Sequence, residues 1–122
     1  MNRLKVSLAA FLGCLAVICG AYGAHGLKLA PQEMHYMEMW KTAVQYHFFH
    51  VLTLLFVGSQ KKGFGIPFIL FLLGIVFFSG SLYILVITKS FFWAKFTPFG
   101  GVAFIVGWLG LGIEFLFRKI PD

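Results

Sequence analysis

Four stretches of the chain carry no charged residue: Val6 to Ala24, Thr42 to Gln60, Gly63 to Thr88 and Phe96 to Ile113. Each is close to the roughly 20 residues that cross about 30 Å of hydrocarbon as a helix. Backbone N–H and C=O groups find no water there, so such runs span as helices, which satisfy those groups internally. The expected fold is an all-α integral membrane protein, a four-helix transmembrane bundle with a short interfacial helix leading into the second span. It forms one domain over 1–122, with spans near 5–26, 41–60, 64–88 and 97–117.

Composition agrees. Hydrophobic residues make up 60% of the chain and charged residues 11%, against about 45–50% and about 25% in soluble domains. A soluble fold of this size could not cover its surface, which excludes a soluble enzyme, a cytosolic binding domain and a disordered tail. The formal charge of +6 comes as separated pairs, Arg3/Lys5, Lys61/Lys62, Lys89/Lys95 and Arg118/Lys119, each flanking an apolar run. Pairs at span ends are interfacial anchors and orientation signals. A nucleic-acid partner is excluded, because no basic run exists for a phosphate backbone to follow. With four spans, Arg3, Lys5, Lys61, Lys62, Arg118 and Lys119 share the side of the termini, against Lys28, Lys41, Lys89 and Lys95 opposite. That bias places both termini in the cytoplasm.

The first run, after Met1-Asn-Arg-Leu-Lys5 and before Ala21-Tyr-Gly-Ala24, also has the outline of a signal peptide. It is as long as a full span, with small residues at every fourth position, and reads as the first helix. Between spans one and two, Pro31 suits a first helical turn and Glu33 its positive end. Met34, Met37 and Trp40 recur at helical spacing, as in an interfacial helix. Cys14 and Cys19 lie about 140° apart around a helix and cannot pair with each other within it. Ala16, Gly20 and Ala24 are spaced by four, as are Ala103 and Gly107. Together with Gly100 and Gly101 they are the expected helix-packing positions, because small residues let backbones approach.

Polar side chains within a span are costly and therefore candidate functional positions. His25 ends span one; Tyr46 and His50 lie in span two, Ser79, Ser81 and Tyr83 in span three, and Thr97 opens span four. In an antiparallel bundle all of these converge on the outer half of the membrane, where they form the candidate polar or ligand-binding cluster. His25, His47 and His50 are weak candidates for a metal site or haem ligation; no carboxylate stands near to orient an imidazole, and neither metal nor cofactor is assigned. Glu114 precedes Arg118 by one helical turn and reads as a snorkelling pair. Trp108 lies near the middle of span four, where packing against a neighbour's glycines is the simplest account. No G-x-S-x-G, H-E-x-x-H or Walker-type loop occurs, and no catalytic residue is assigned.

Four ordered motifs stand out: Gly-Ala-Tyr-Gly-Ala-His-Gly-Leu27, Trp40-x-Thr-Ala-x-x-Tyr-x-x-x-His50, Phe78-Ser-Gly-Ser-Leu-Tyr83 and Thr97-Pro-Phe-Gly-Gly101. Together they resemble the small bacterial inner-membrane proteins of the YgdD/YwdK type, a group that includes the eukaryotic transmembrane protein 256 proteins and is catalogued as a domain of unknown function. The resemblance implies a four-span protein of the bacterial cytoplasmic membrane and no reaction, ligand or catalytic residue. His25 and His50 match the pattern; His47 is not assigned to it. The reading is a non-enzymatic accessory, or a bundle that binds a small amphipathic ligand. Its partners are the lipid bilayer, a second copy or a larger membrane assembly. The alternatives are a subunit of a small oligomeric transporter or channel and, behind it, a metal- or haem-binding redox accessory.

Overall fold

The computed structural model describes residues 2–61 and 64–118. Lys62 and Lys119 of the expected anchors and Gly63 of the second turn lie outside the described residues. The chain forms four long helices: α1 (Arg3–His25), α2 (Met34–Gly58), α3 (Gly65–Thr88) and α4 (Thr97–Leu116). Three segments, α1, α3 and Phe91–Leu116, are long and apolar enough to cross a membrane. The 25 residues of α2 have the length, but its polar side chains lower its hydropathy.

The expected interfacial helix contracts to one 3-10 turn, Pro31–Glu33. Nothing between Met34 and Gly58 breaks a helix, so Met34, Met37 and Trp40 become the first turns of α2 itself. At the same end, the Glu33 carboxylate meets Lys89 at 2.7 Å. That ammonium holds Glu33 below the usual carboxylate range, helped by the Ala30 backbone N–H. The 3-10 segment Phe91–Lys95 sits beside it, with Lys95 over the Phe92 ring.

α1 packs on α2 along Ala9, Gly13, Ala16, Gly20 and Gly23. Ala9, Ala16 and Gly23 are buried. A side chain at Gly13 would meet Val51 at 3.2 Å, and one at Gly23 would enter the Trp40 ring. The steps alternate four and three, whereas a strict step of four drifts around the helix. Ala24, expected on this face, is therefore exposed, and Gly23 takes its place.

α3 packs on α4 by exchange of rings and glycines: Phe104 fills the space over Gly74, and Phe71 that over Gly107. Gly100 meets backbone, the chain at Phe77 and Phe78, where α3 passes through a π turn at Ile75–Gly80. By contrast Gly101 makes only ordinary contact, at 4.0 Å from Phe78, and Ala103 is half-buried. At the far end Phe64 adopts a left-handed φ of 64° before α3. Its buried ring and its N–H, donated to Glu114 Oε1 at 3.2 Å, hold that conformation. Glu114 thus caps α3 where a carboxylate is favoured, and the Arg118 guanidinium lies over the Phe64 ring.

Because backbone cannot move aside as a side chain can, Gly100→Leu is expected to cost about 3 kcal/mol, the upper end for overpacking. Gly112→Leu, at a position with nothing within 4 Å, is expected to leave stability unchanged. Unfolding in mixed micelles followed by circular dichroism compares the two.

Candidate functional site

α2 carries buried polar side chains at Trp40, His47 and His50 and touches all three other helices. A polar group taken out of water must bond or pay for the loss. Ser79 of the π turn donates to the Ala43 carbonyl at 2.7 Å, and Ser81 shares a hydrogen bond of 2.6 Å with Thr97. Trp40 donates its indole N–H to the Cys19 carbonyl of α1 at 2.8 Å. Thr53 and Thr88 bond carbonyls of their own helices.

His50 is satisfied on both nitrogens. Nδ1 lies 2.7 Å from the Tyr46 carbonyl, which only accepts, so the proton sits on Nδ1. Nε2 then accepts from the Trp108 indole N–H at 3.0 Å. The ring stacks on Phe104 at 3.7 Å between centroids. No lone pair is left for a metal or a haem. This also explains Trp108: its mid-span position marked it as unusual, and the reason is a hydrogen bond in addition to packing on Phe71.

The seven residues of the expected cluster therefore do not form one site. His50 faces α4; Tyr46 packs on Phe78 of α3 at 4.8 Å between ring centroids; Ser79 joins α2 to α3; Ser81 and Thr97 join α3 to α4; Tyr83 faces α2 from the other side. His25 is exposed at the last turn of α1, and among the described residues no hydrogen bond or ring contact joins it to the other six. His50, Ser79, Ser81, Tyr83 and Thr97 bond across separate helix contacts instead of reaching a common centre. His25, His47 and His50 accordingly do not converge, and among the described residues no three His, Cys, Asp or Glu side chains are placed to hold a metal.

His47 is the residue that the sequence undervalues. It is 1% exposed, near the middle of α2, and its Nδ1 lies 2.8 Å from the Tyr83 hydroxyl. The Cys19 thiol stands beside the same hydroxyl. The Leu12 carbonyl of α1 faces the imidazole, yet no hydrogen bond of ordinary geometry reaches Nε2. His47 lines a groove of about 410 Å³ between α1 and α3, walled by Leu12, Leu15, Ile75, Val76 and Ile84. The rim residues Leu15, Val76 and Ile84 are exposed, so the groove opens sideways to the surroundings of the bundle. Adjacency to the motif residue Tyr46, one position away, hides this role in sequence; only the partner across the bundle reveals it.

Residues 19–101 match the family model described as "Protein of unknown function (DUF423)", a segment that contains all four motifs. The chain is 43% identical over 113 residues to the UPF0382 membrane protein YwdK of Bacillus subtilis, covering 88% of this chain and 91% of that one. It is 42% identical to a UPF0382 membrane protein of Staphylococcus aureus, over 89% and 92% of the two chains. It is 38% identical to the UPF0382 inner membrane protein YgdD of Escherichia coli K12, over 88% and 85%. No solved structure matches.

The His50–Trp108 bond has a measurable share in stability. Trp108→Phe is expected to lose about 1 kcal/mol more in the wild-type background than in His50→Phe, within the range of hydrogen bonds between membrane helices. A double-mutant cycle in micelles measures that difference.

Proposed function

The chain belongs to the DUF423 family of membrane proteins, and from that premise we propose that it acts by binding a small amphipathic molecule, without catalysing a reaction. The observation that carries this reading is the groove between α1 and α3. It is apolar, laterally open and of ligand size, since small-molecule sites run from about 300 to 1,000 Å³. His47, Ser81 and Tyr83 are the polar residues among its lining. Trp40, His50, Ser79, Ser81 and Thr97 are occupied in joining helices.

In this reading all four helices cross the bilayer, α2 included, because Trp40, His47 and His50 along it are buried against its neighbours. The six cations on the side of the termini favour a cytoplasmic location for both. The sideways opening then admits molecules from the lipid phase, with no passage through the bundle.

A photoactivatable fatty alcohol carrying a diazirine tests the reading in liposomes. Labelling is expected to concentrate on Leu12 to Leu15 and Ile75 to Ile84, and to fall several-fold in Val76→Trp, which fills the rim. Even labelling of outward positions such as Phe11, Ile105 and Leu116, unaffected by Val76→Trp, would contradict it.

A further inference from the structure

A second recess lies on another side of α1 and shares no lining residue with the groove. It is a trough of about 240 Å³ between the last turns of α1 and the first turns of α2. Gly20, Gly23 and Ala24 line it from α1, and Trp40, Lys41 and Gln45 from α2. The small residues of α1 leave the room. Trp40, its N–H given to the Cys19 carbonyl, closes the trough with an apolar wall.

The polar groups come from α2. Glu38, Lys41 and Gln45 follow one another at steps of three and four and so share one face of the helix. All three are exposed, and among the described residues none has an ion pair or a side-chain hydrogen bond; the ion pair at this end is Glu33–Lys89. With α2 crossing the bilayer, on which this inference rests, its Met34 end lies at the surface and depth orders the three. Glu38 is outermost, Lys41 is about 4.5 Å deeper and Gln45 about 6 Å deeper again, at 1.5 Å of rise per residue. The face thus offers an anion, then a cation, then an amide that donates. Two turns in from Lys41 stands Phe48, and two turns in from Ala24 stands Val17, both exposed apolar side chains.

An aminophospholipid carries the complementary order from the surface inward: ammonium, phosphate, ester carbonyl, acyl chain. We propose that the trough seats one phosphatidylethanolamine, with its ammonium on Glu38 and its phosphate on Lys41. The ester carbonyl accepts from the Gln45 amide in the space left by Gly20, Gly23 and Ala24, and one acyl chain lies over Val17 and Phe48. A lysine stem along apolar surface places its ammonium at this headgroup level. An anionic lipid such as phosphatidylglycerol satisfies Lys41 but sets no cation against Glu38. A choline headgroup brings the cation but no N–H for the carboxylate to accept.

The test uses the full chain in detergent micelles and five probes. Phosphatidylethanolamine, phosphatidylglycerol, phosphatidylcholine and diacylglycerol carry the same acyl chains, and phosphoethanolamine is the headgroup alone. Native mass spectrometry is expected to show one phosphatidylethanolamine retained per chain, ahead of every other probe. Lys41→Gln is expected to weaken it about fivefold, the order expected of one cation at a lipid surface. Glu38→Gln is expected to abolish the preference over phosphatidylglycerol without weakening the latter. Ala24→Leu fills the trough and is expected to lower the binding of all three phospholipids, whereas Lys95→Gln, at the α3–α4 connection, changes nothing. All four positions are exposed, so folding is not at stake. Phosphatidylglycerol bound more tightly, still dependent on Lys41, would overturn the ammonium contact. Diacylglycerol retained equally, with no effect of Lys41→Gln, would overturn the headgroup site. Phosphoethanolamine bound as well as the whole lipid would overturn the seat of the acyl chain. Each of these results leaves the groove reading standing, because diazirine labelling tests that reading at other residues.

Discussion

A polar side chain inside a bilayer has to find its hydrogen-bond partner within the protein, and the architecture depends on where α2 finds its partners. Trp40 bonds α1, Ala43 receives Ser79 of α3, and His50 bonds Trp108 of α4. These bonds tie α2 to three neighbours at successive levels, a polar spine enclosed by apolar helices. Lipid cannot replace any of these partners. The bonds therefore specify which helix lies where more firmly than apolar contact alone, since lipid tails are as apolar as leucine.

Close approach is the second element, and it is unequal around the bundle. Gly74, Gly100 and Gly107 let α3 and α4 interlock through Phe104, the π-turn backbone and Phe71. Ala9, Gly13, Ala16 and Gly23 do the same for α1 and α2. Between α1 and α3, Lys5 lies over Phe68 near one end, and further along the helices the walls part. The groove is the consequence: α1 is held by α2 alone at that level, and His47, on the face of α2 between the two, lies buried at its wall.

Much of this was legible in the sequence. Charge-free runs mark the helices, and the four motifs turn out to meet one another: Gly23 seats Trp40, Ala43 accepts from Ser79, Gly100 receives Phe78, and Ser81 bonds Thr97. The pairing itself was not legible, because spacing along a helix gives the face of a residue but not the helix opposite. Polar residues of similar depth therefore read as one cluster, when they are separate bonds at separate contacts. The π turn has no compositional signal in Ile75 to Gly80 beyond its flanking glycines. His47 and His50, three residues apart, look equivalent on the helix; only the partners opposite separate them, Tyr83 and the Leu12 carbonyl for one and Trp108 for the other.

That distinction is the centre of the account, and the nitrogen-15 spectrum of histidine-labelled protein in lipid bilayers at neutral pH tests it most directly. The predicted result for His50 is a proton on Nδ1 and a hydrogen-bonded acceptor at Nε2 whose resonance moves in Trp108→Phe, with the His47 signals unmoved. A His50 protonated on Nε2 or on both nitrogens, or one indifferent to Trp108, would contradict it.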